Sequence, residues 1–311
     1  MNIYAEILIE EARRRGIEVE IIDNHFNYFT LTYQGESVRC WESFTDRTPS
    51  MSAVVCQNKY LTLKLLREGG LKVPRQALWN NRQEASAFLA SCRNKIVVKP
   101  LDGEQGKGIT VGVKTEEQLR KAVDYAKKYF KDVLLEEQVE GNDLRIIVIN
   151  YEFVAAIERV PPWVEGDGRS SVEKLIRQKN EELFRSTRGE SRIPLNEASE
   201  DFIREQGSTL QDVLSPGKKL HVSRLSNFHS GGTIQDVTHQ VSQTLREVSE
   251  KAARILTMPV VGLDFMVSTP SARDYSIIEA NERPGLANHE PQPTAEKFID
   301  FLFPNSQKGS M

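Results

Sequence analysis

Ser276-Ile277-Ile278-Glu279-Ala280-Asn281-Glu282-Arg283-Pro284-Gly285 reads as the last buried strand of the chain and the turn that ends it. Successive side chains of an extended strand point to opposite faces, so Glu279 and Asn281 project together beside the proline-glycine turn. Two oxygen donors on one strand face suit a hard cation. Upstream, Val260-Val261-Gly262-Leu263-Asp264-Phe265-Met266-Val267 is a second apolar run with one embedded carboxylate. An ionised acid among β-branched and aromatic neighbours is expensive to desolvate unless it is paired or bound to metal. Asp264, Glu279 and Asn281 are therefore candidate metal ligands.

Earlier in the chain, Ile96-Val97-Val98-Lys99-Pro100 is a buried strand ending in a lysine, followed by the loop Asp102-Gly103-Glu104-Gln105-Gly106-Lys107-Gly108 and a strand over 109–113. A glycine loop lets backbone N–H groups approach phosphate oxygens, and a lysine adds a mobile charge. The loop lacks G-x-x-x-x-G-K-[ST] and the third glycine of G-x-G-x-x-G, which excludes a P-loop and a Rossmann fingerprint. Taken alone it also reads as a solvated hairpin turn, and Lys99 as a strand-end lysine with its ammonium in water. A helix over 115–129 and the strand Val133 to Val139 complete an α+β unit.

Residues 1–48 read as a short α/β element: a helix over Tyr4 to Arg14, a strand at 18–22, and a hairpin about Gln34-Gly35. One helix is expected from Ser52 to Glu68, where Val55, Leu61, Leu65 and Leu66 recur at helical spacing before Gly69-Gly70. Beyond Gly141 come two strands around Asn150, a polar helix-rich insert over 163–220, the loop Asn227 to Thr233 and a helix from Gln243 to Leu256. The expected divisions are 1–48, 49–140, 141–305 and a tail, 306–311.

At 311 residues, a prior of about 150 per domain gives two or three subdomains. Net charge is −3, from 41 basic and 44 acidic residues, with no basic run long enough to track a phosphate backbone; nucleic acid is not an expected partner. Residues 1–15 carry acids and no uninterrupted apolar core, so they do not read as a signal peptide, and no window approaches the ~20 apolar residues of a membrane span. Cys40, Cys56 and Cys92 lack C-x-x-C spacing and read as reduced thiols of a cytoplasmic protein. The five histidines show no zinc-ligand spacing.

Lys99-Pro100 before a glycine loop, the acidic stretch Glu136 to Asp143, and Asp264 with Glu279-x-Asn281 together resemble the ATP-grasp superfamily of carboxylate-amine ligases. Pro161-Pro162 with Gly166-Asp167-Gly168, and Asn227 to Thr233, are similar to cyanophycin synthetases and the ligase half of bifunctional glutathione synthetases. Three further stretches resemble the ligase portion of N-acetylglutaminylglutamine synthetases, which make an osmoprotectant dipeptide: 103–111, Gly189-Glu190-Ser191-Arg192-Ile193-Pro194-Leu195 and 279–291. That family often carries an acetyltransferase-like region ahead of the ligase, and fewer than fifty residues precede it here.

The resemblance implies an ATP-grasp fold of α+β class, two subdomains gripping ATP behind the short N-terminal element. It implies that Lys59 and Lys99 contact the nucleotide phosphates and that the loop with Gly103, Gly106, Lys107 and Gly108 closes over them. Glu136, Glu137 and Val139 would form the adenine hinge, the Glu137 carbonyl accepting from the exocyclic amine and the Val139 N–H donating to the ring. Asp143 would meet the ribose. Arg145, Arg159 and Arg224 would face the transferred phosphoryl and acyl phosphate, since a planar guanidinium clamps spread oxygen charge. Asn227, Gly231 and Gly232 would line the developing oxyanion. Arg192, Ser230, Arg283, Asn288 and His289 are candidate substrate contacts. On residues alone, Lys59 is a helix-surface lysine and Asp143 a turn residue; His229 could be a base or an incidental loop side chain.

The implied cofactors are ATP and Mg²⁺, two ions bridging the phosphates, with Mn²⁺ as a substitute. The implied reaction is ADP-forming amide synthesis through an acyl phosphate, on small amino-acid or acylated amino-acid substrates, by a homo-oligomer. Other amino-acid or peptide ligation, phosphotransfer and non-catalytic ATP binding are the alternatives.

Overall fold

The computed structural model describes residues 1–306 apart from 102–106, 188, 190, 225 and 227–229. The chain opens with α1 (Ile3–Arg14), β1 (Glu18–Asp23), β2 (Tyr28–Tyr33), β3 (Glu36–Trp41), β4 (Phe44–Thr45), α2 (Ser50–Gln57) and α3 (Lys59–Glu68). There follow β5 (Gln76–Leu78), α4 (Arg82–Ser91), β6 (Ile96–Pro100), β7 (Thr110–Val113), α5 (Glu116–Ala126), β8 (Val133–Glu137), β9 (Asn142–Ile149) and β10 (Glu152–Val160). Then come β11 (Trp163–Glu165), α6 (Val172–Ser186), α7 (Glu197–Glu205), β12 (Lys219–His221), β13 (Thr233–Asp236), α8 (Gln243–Ile255), β14 (Val260–Val267), β15 (Tyr275–Asn281) and α9 (Thr294–Leu302). No described helix is long and apolar enough to cross a membrane. Two compact units result, one from residues 1–94, 134–157 and 236–311, the other from 95–133 and 158–235.

In the first unit β10, β9, β14 and β15 are neighbours in that order, with β14 antiparallel to both its partners. Alternate residues divide between two cores, as period-two side-chain geometry requires. Leu144, Ile146 and Val148 of β9 and Leu263, Phe265 and Val267 of β14 pack with helices α3 and α8. On the other face Ile147, Ile149 and Val260 pack with Leu8 and Ala12 of α1 and Phe298 and Leu302 of α9. Phe29, Leu31, Val38 and Cys40 join that second core, so residues 1–48 are part of this unit's packing. Their hairpin turns at Gln34 and Gly35, both at positive φ (51° and 84°), the twist that two-residue hairpins favour.

The helix expected from Ser52 to Glu68 is two helices. Asn58 takes an extended conformation (φ −94°, ψ 98°) and its side chain accepts from the Leu61 N–H, capping α3. An asparagine side chain that competes for backbone donors favours such a cap over a helix interior. Lys59 thereby becomes the first residue of α3.

In the second unit β6 and β7 pair antiparallel, Val98 opposite Thr110. Helix α5 begins with a capping box between Thr115 and Gln118. The 163–220 segment has its own apolar cluster, in which Val164, Val172, Ile176, Ile193, Ile203 and Leu220 meet between α6, α7 and the β11–β12 pair.

Candidate active site

The first unit gathers its candidate residues on one sheet face. Register pairs Asp264 of β14 with Arg145 of β9 on one side and with Glu279 of β15 on the other. Paired residues of an antiparallel ladder share a face, so all three project together. A β-bulge makes this so on β15. Phe265 pairs with Ile277 and Asp264 with Glu279, leaving Ile278 as an extra residue. Ile277 and Ala280, three apart, both enter the core, and the extra residue turns Glu279 and Asn281 to the face of Asp264.

Along that face two carboxylates, Asp264 and Glu279, lie between two cations, Arg145 and Lys59. Arg145 clamps Asp264 with two bonds, Nε to Oδ1 at 2.6 Å and Nη2 to Oδ2 at 2.8 Å, and Asp264 is 1 % exposed. Lys59 Nζ lies 3.4 Å from Glu279 Oε1. The Asn281 amide donates to the Gly262 carbonyl at 3.4 Å, which leaves its own Oδ1 as an acceptor. Gly262 sits beside these groups because a Cβ there would come within 3.0 Å of Pro284 Cβ. Two carboxylates and an amide oxygen form a hard donor set that fits Mg²⁺. Among the described residues no three His, Cys, Asp or Glu side chains come together as a metal site.

Beside this face run residues 136–143, the expected adenine-binding segment. Glu136 is buried and accepts from Gln76 Nε2 at 2.8 Å, and the same amide reaches the Lys59 carbonyl at 3.5 Å. The Glu137 N–H donates to the Arg75 carbonyl at 2.9 Å, extending the β5–β8 pairing. Val139, half-buried, follows β8. Asp143 lies on β9, two residues before Arg145 and on its face. Gly141, at φ 144°, is packed so closely that a Cβ would stand 2.7 Å from the Val267 carbonyl oxygen.

The turn after β15 holds Arg283, Asn288 and His289, the last of them buried. Residues 1–48 fix this turn, which sequence reasoning missed. Ser43 Oγ donates to the Pro284 carbonyl at 2.7 Å, the Tyr4 hydroxyl donates to Asn288 Oδ1 at 3.4 Å, and a Cβ on Gly285 would strike the Tyr4 ring at 2.7 Å. No local pattern in the sequence signals contacts of this range.

The second unit carries the other candidates. Lys99 is buried at the end of β6, and Arg159 stands near the end of β10. Lys107 is exposed and Gly108 buried, with φ 75° and a would-be Cβ 2.8 Å from Pro100 Cγ. Arg224 pairs with Glu205 and stacks on Phe202, its Cζ 4.4 Å from the ring centre. Arg192 is exposed and Ser230 half-buried. Gly231, at φ 86°, faces Ile193 so closely that a Cβ would fall 2.4 Å from Ile193 Cγ1; Gly232 follows it, buried. Gly103, Gly106, Asn227 and His229 lie outside the described residues.

None of the cysteines is a ready nucleophile. Burial pushes the Cys56 thiol up to about 12 and the Cys40 thiol higher still, and Cys92 is raised by burial and by nearby Glu137. The thiolate is the reactive form.

Residues 56–188 match the model of the RimK-like ATP-grasp domain. The crystal structure of a bifunctional glutathione synthetase from Pasteurella multocida superimposes with a TM-score of 0.67 over 98 % of this chain and 43 % of that one, at 26 % identity. The chain has the ATP-grasp fold. A D-alanine–D-alanine ligase from Bacillus anthracis shares the fold at 13 % identity and a TM-score of 0.51, covering 83 % of this chain and 70 % of that one. In sequence, this ATP-grasp chain is 30 % identical to the glutathione biosynthesis bifunctional protein GshAB of Clostridium perfringens, over 97 % of its own length and 41 % of the relative's. It is also 30 % identical to a cyanophycin synthetase of Nostoc sp., over 98 % of its own length and 35 % of the relative's. The chain thus spans less than half the length of either relative.

Proposed function

We propose that this protein is an ATP-dependent carboxylate-amine ligase that forms an amide bond through an acyl phosphate, with ADP and phosphate as co-products. The observation that carries the reading is the row Arg145, Asp264, Glu279 and Lys59 on one sheet face, in a chain with the ATP-grasp fold. A substrate carboxylate attacks the γ-phosphorus of ATP, giving an acyl phosphate and ADP. The amine of a second substrate then attacks the acyl carbon and expels phosphate. Activation is needed because a carboxylate is a poor electrophile.

Asp264, Glu279 and Asn281 would hold Mg²⁺, one ion or two, which supplies neutralising charge for the phosphates. Lys59 and Lys99 meet phosphate oxygens, and Arg145 and Arg159 the phosphoryl group in transfer. Glu137 and Val139 offer backbone groups to adenine, and Asp143 its carboxylate to the ribose. Arg224 and the N–H groups of Gly231 and Gly232 face the acyl phosphate and its oxyanion. The protein contributes position and charge, with no covalent nucleophile, which agrees with the raised thiols of Cys40 and Cys56.

The product class we infer is an N-acetylglutaminylglutamine-type dipeptide, made in the cytoplasm by a homo-oligomer. Its support is the run Glu282-Arg283-Pro284-Gly285-Leu286 behind the metal strand. A different amino-acid or peptide ligation is the second reading, favoured by the likeness to a cyanophycin synthetase and a glutathione biosynthesis protein. Incubation with ATP, Mg²⁺ and panels of N-acylated and free amino acids tests both. Release of ADP and phosphate that depends on the amine, with a condensed product by mass, is expected. AMP formation, or ATP turnover without condensation for any pair, would sink the ligase.

A further inference from the structure

Arg283 is held in a manner unlike the structural arginines around it. Its guanidinium lies over the Trp41 indole, Cζ 4.0 Å from the ring centre, and its Nε is 3.9 Å from Glu42 Oε2, beyond hydrogen-bond reach. Among the described residues it makes no hydrogen bond, although its side chain is only 27 % exposed. Arg15, in the same unit, shows what a structural arginine looks like there. It donates to Glu11 at 2.6 Å, to Asp300 at 2.5 Å and to the Glu296 carbonyl at 3.0 Å, and is 6 % exposed.

The parts around Arg283 are themselves fixed. Glu42 Oε1 accepts from the side-chain amides of Asn2 at 2.7 Å and Asn27 at 3.3 Å, which orients the carboxylate. Ser43, next in sequence, ties down the carbonyl of Pro284, the residue after Arg283. An indole face holds the guanidinium without using any of its donors, and Glu42 comes nearest to it at Nε. The two Nη groups remain, a flat fork matched to the two oxygens of a carboxylate. This fork stands two residues beyond Asn281, at the metal end of β15.

We infer that Trp41, Glu42 and Arg283 form a receptor for the unreacted carboxylate of the amine-bearing substrate. Its assignment to that substrate rests on the ligase reading. Amide formation consumes the acyl donor's carboxylate, whereas the α-carboxylate of an amino-acid acceptor is unchanged in the product. A guanidinium held rigidly away from other partners suits a group that persists through the reaction. Arg283 contacts the ligand; Trp41 and Glu42 are positioning residues, and through them the first 48 residues enter substrate selection.

The test is a binding titration of the full chain with Mg²⁺ and a non-hydrolysable ATP analogue, using the standard L-amino acids and their α-carboxamides as probes. We expect at least one free acid to bind at least about tenfold more tightly than its carboxamide, the ratio of one charge-assisted contact. Arg283→Lys and Trp41→Leu should abolish that ratio and leave the affinity for the ATP analogue unchanged. Trp41→Phe, which keeps an aromatic face, should retain it. A purely structural role would lower thermal stability in these variants without touching the ratio of acid to amide. Equal binding of acid and carboxamide, retention of the ratio in Arg283→Lys, or no binding by any acid would overturn the inference. Failure of the ligase reading registers separately, as absence of ADP release with every acceptor.

Discussion

Replacing Arg145 by methionine tests whether the pair at the centre of the candidate site is a buried ion pair. The Asp264 side chain is 2 % exposed and that of Arg145 18 %, joined by bonds of 2.6 and 2.8 Å. Arg145→Met leaves the carboxylate buried without its bidentate partner, a loss of about 3–5 kcal/mol for a buried pair broken on one side. Because Arg145 touches solvent, we take the lower end, about 3 kcal/mol. At roughly 2–4 °C per kcal/mol for a folding unit of 150–250 residues, the melting temperature should fall by about 6–12 °C. Asp264→Asn should cost less, about 1–2 kcal/mol, since the remaining guanidinium has water available. Thermal and urea unfolding at neutral pH without divalent ions measure both. Mg²⁺ should then raise the melting temperature of Arg145→Met more than that of the parent, because the cation meets carboxylates no longer neutralised by Arg145. A loss below about 1 kcal/mol in Arg145→Met, or equal losses in the two variants, would refute the reasoning and mark the contact as an exposed pair.

Glu279→Gln removes a carboxylate from the candidate metal set, and ADP release under saturating ATP should fall by about a hundredfold or more with the fold intact by circular dichroism. Gly141→Ala places a Cβ against the Val267 backbone at φ 144° and should lose about 3 kcal/mol or more in urea unfolding, with no route to relieve it by rotamer change. Burial raises the Glu11 carboxyl, but its bonds to Arg14 and Arg15 outweigh that and hold it below its ordinary 4.5. Its contribution is therefore present above that value and lost as pH falls through the folded one, so the melting temperature of the parent should drop more steeply in acid than that of Glu11→Gln. A thiol reagent applied to the native protein should label Cys92 first, with Cys40 and Cys56 reacting only after unfolding, as timed mass spectrometry would show.

Much of the scaffold was legible because its signals are local. The apolar runs of β6, β9, β14 and β15, the hairpin at Gln34-Gly35 and the helix that follows β7 all depend on residues a few positions apart. Asn58 was equally local, yet its cap was masked by helical spacing on both sides, and one helix was read where there are two. That break sets Lys59 at the head of α3, 3.4 Å from Glu279, a relation that spacing does not encode.

The sequence alone determined that Glu279 and Asn281 share a strand face, because side-chain alternation is a property of any extended chain. It could not determine which face. Strict alternation would set Ile277 beside them; the bulge at Ile278 instead sends Ile277 and Ala280 into the core and turns Glu279 and Asn281 toward Asp264. Likewise Ser43 and Pro284 are 241 residues apart, and only the packing of α1 against α9 brings the first strands to the turn after β15. Bulges and long-range contacts follow from how cores fill, and core filling is decided by residues from the whole chain at once.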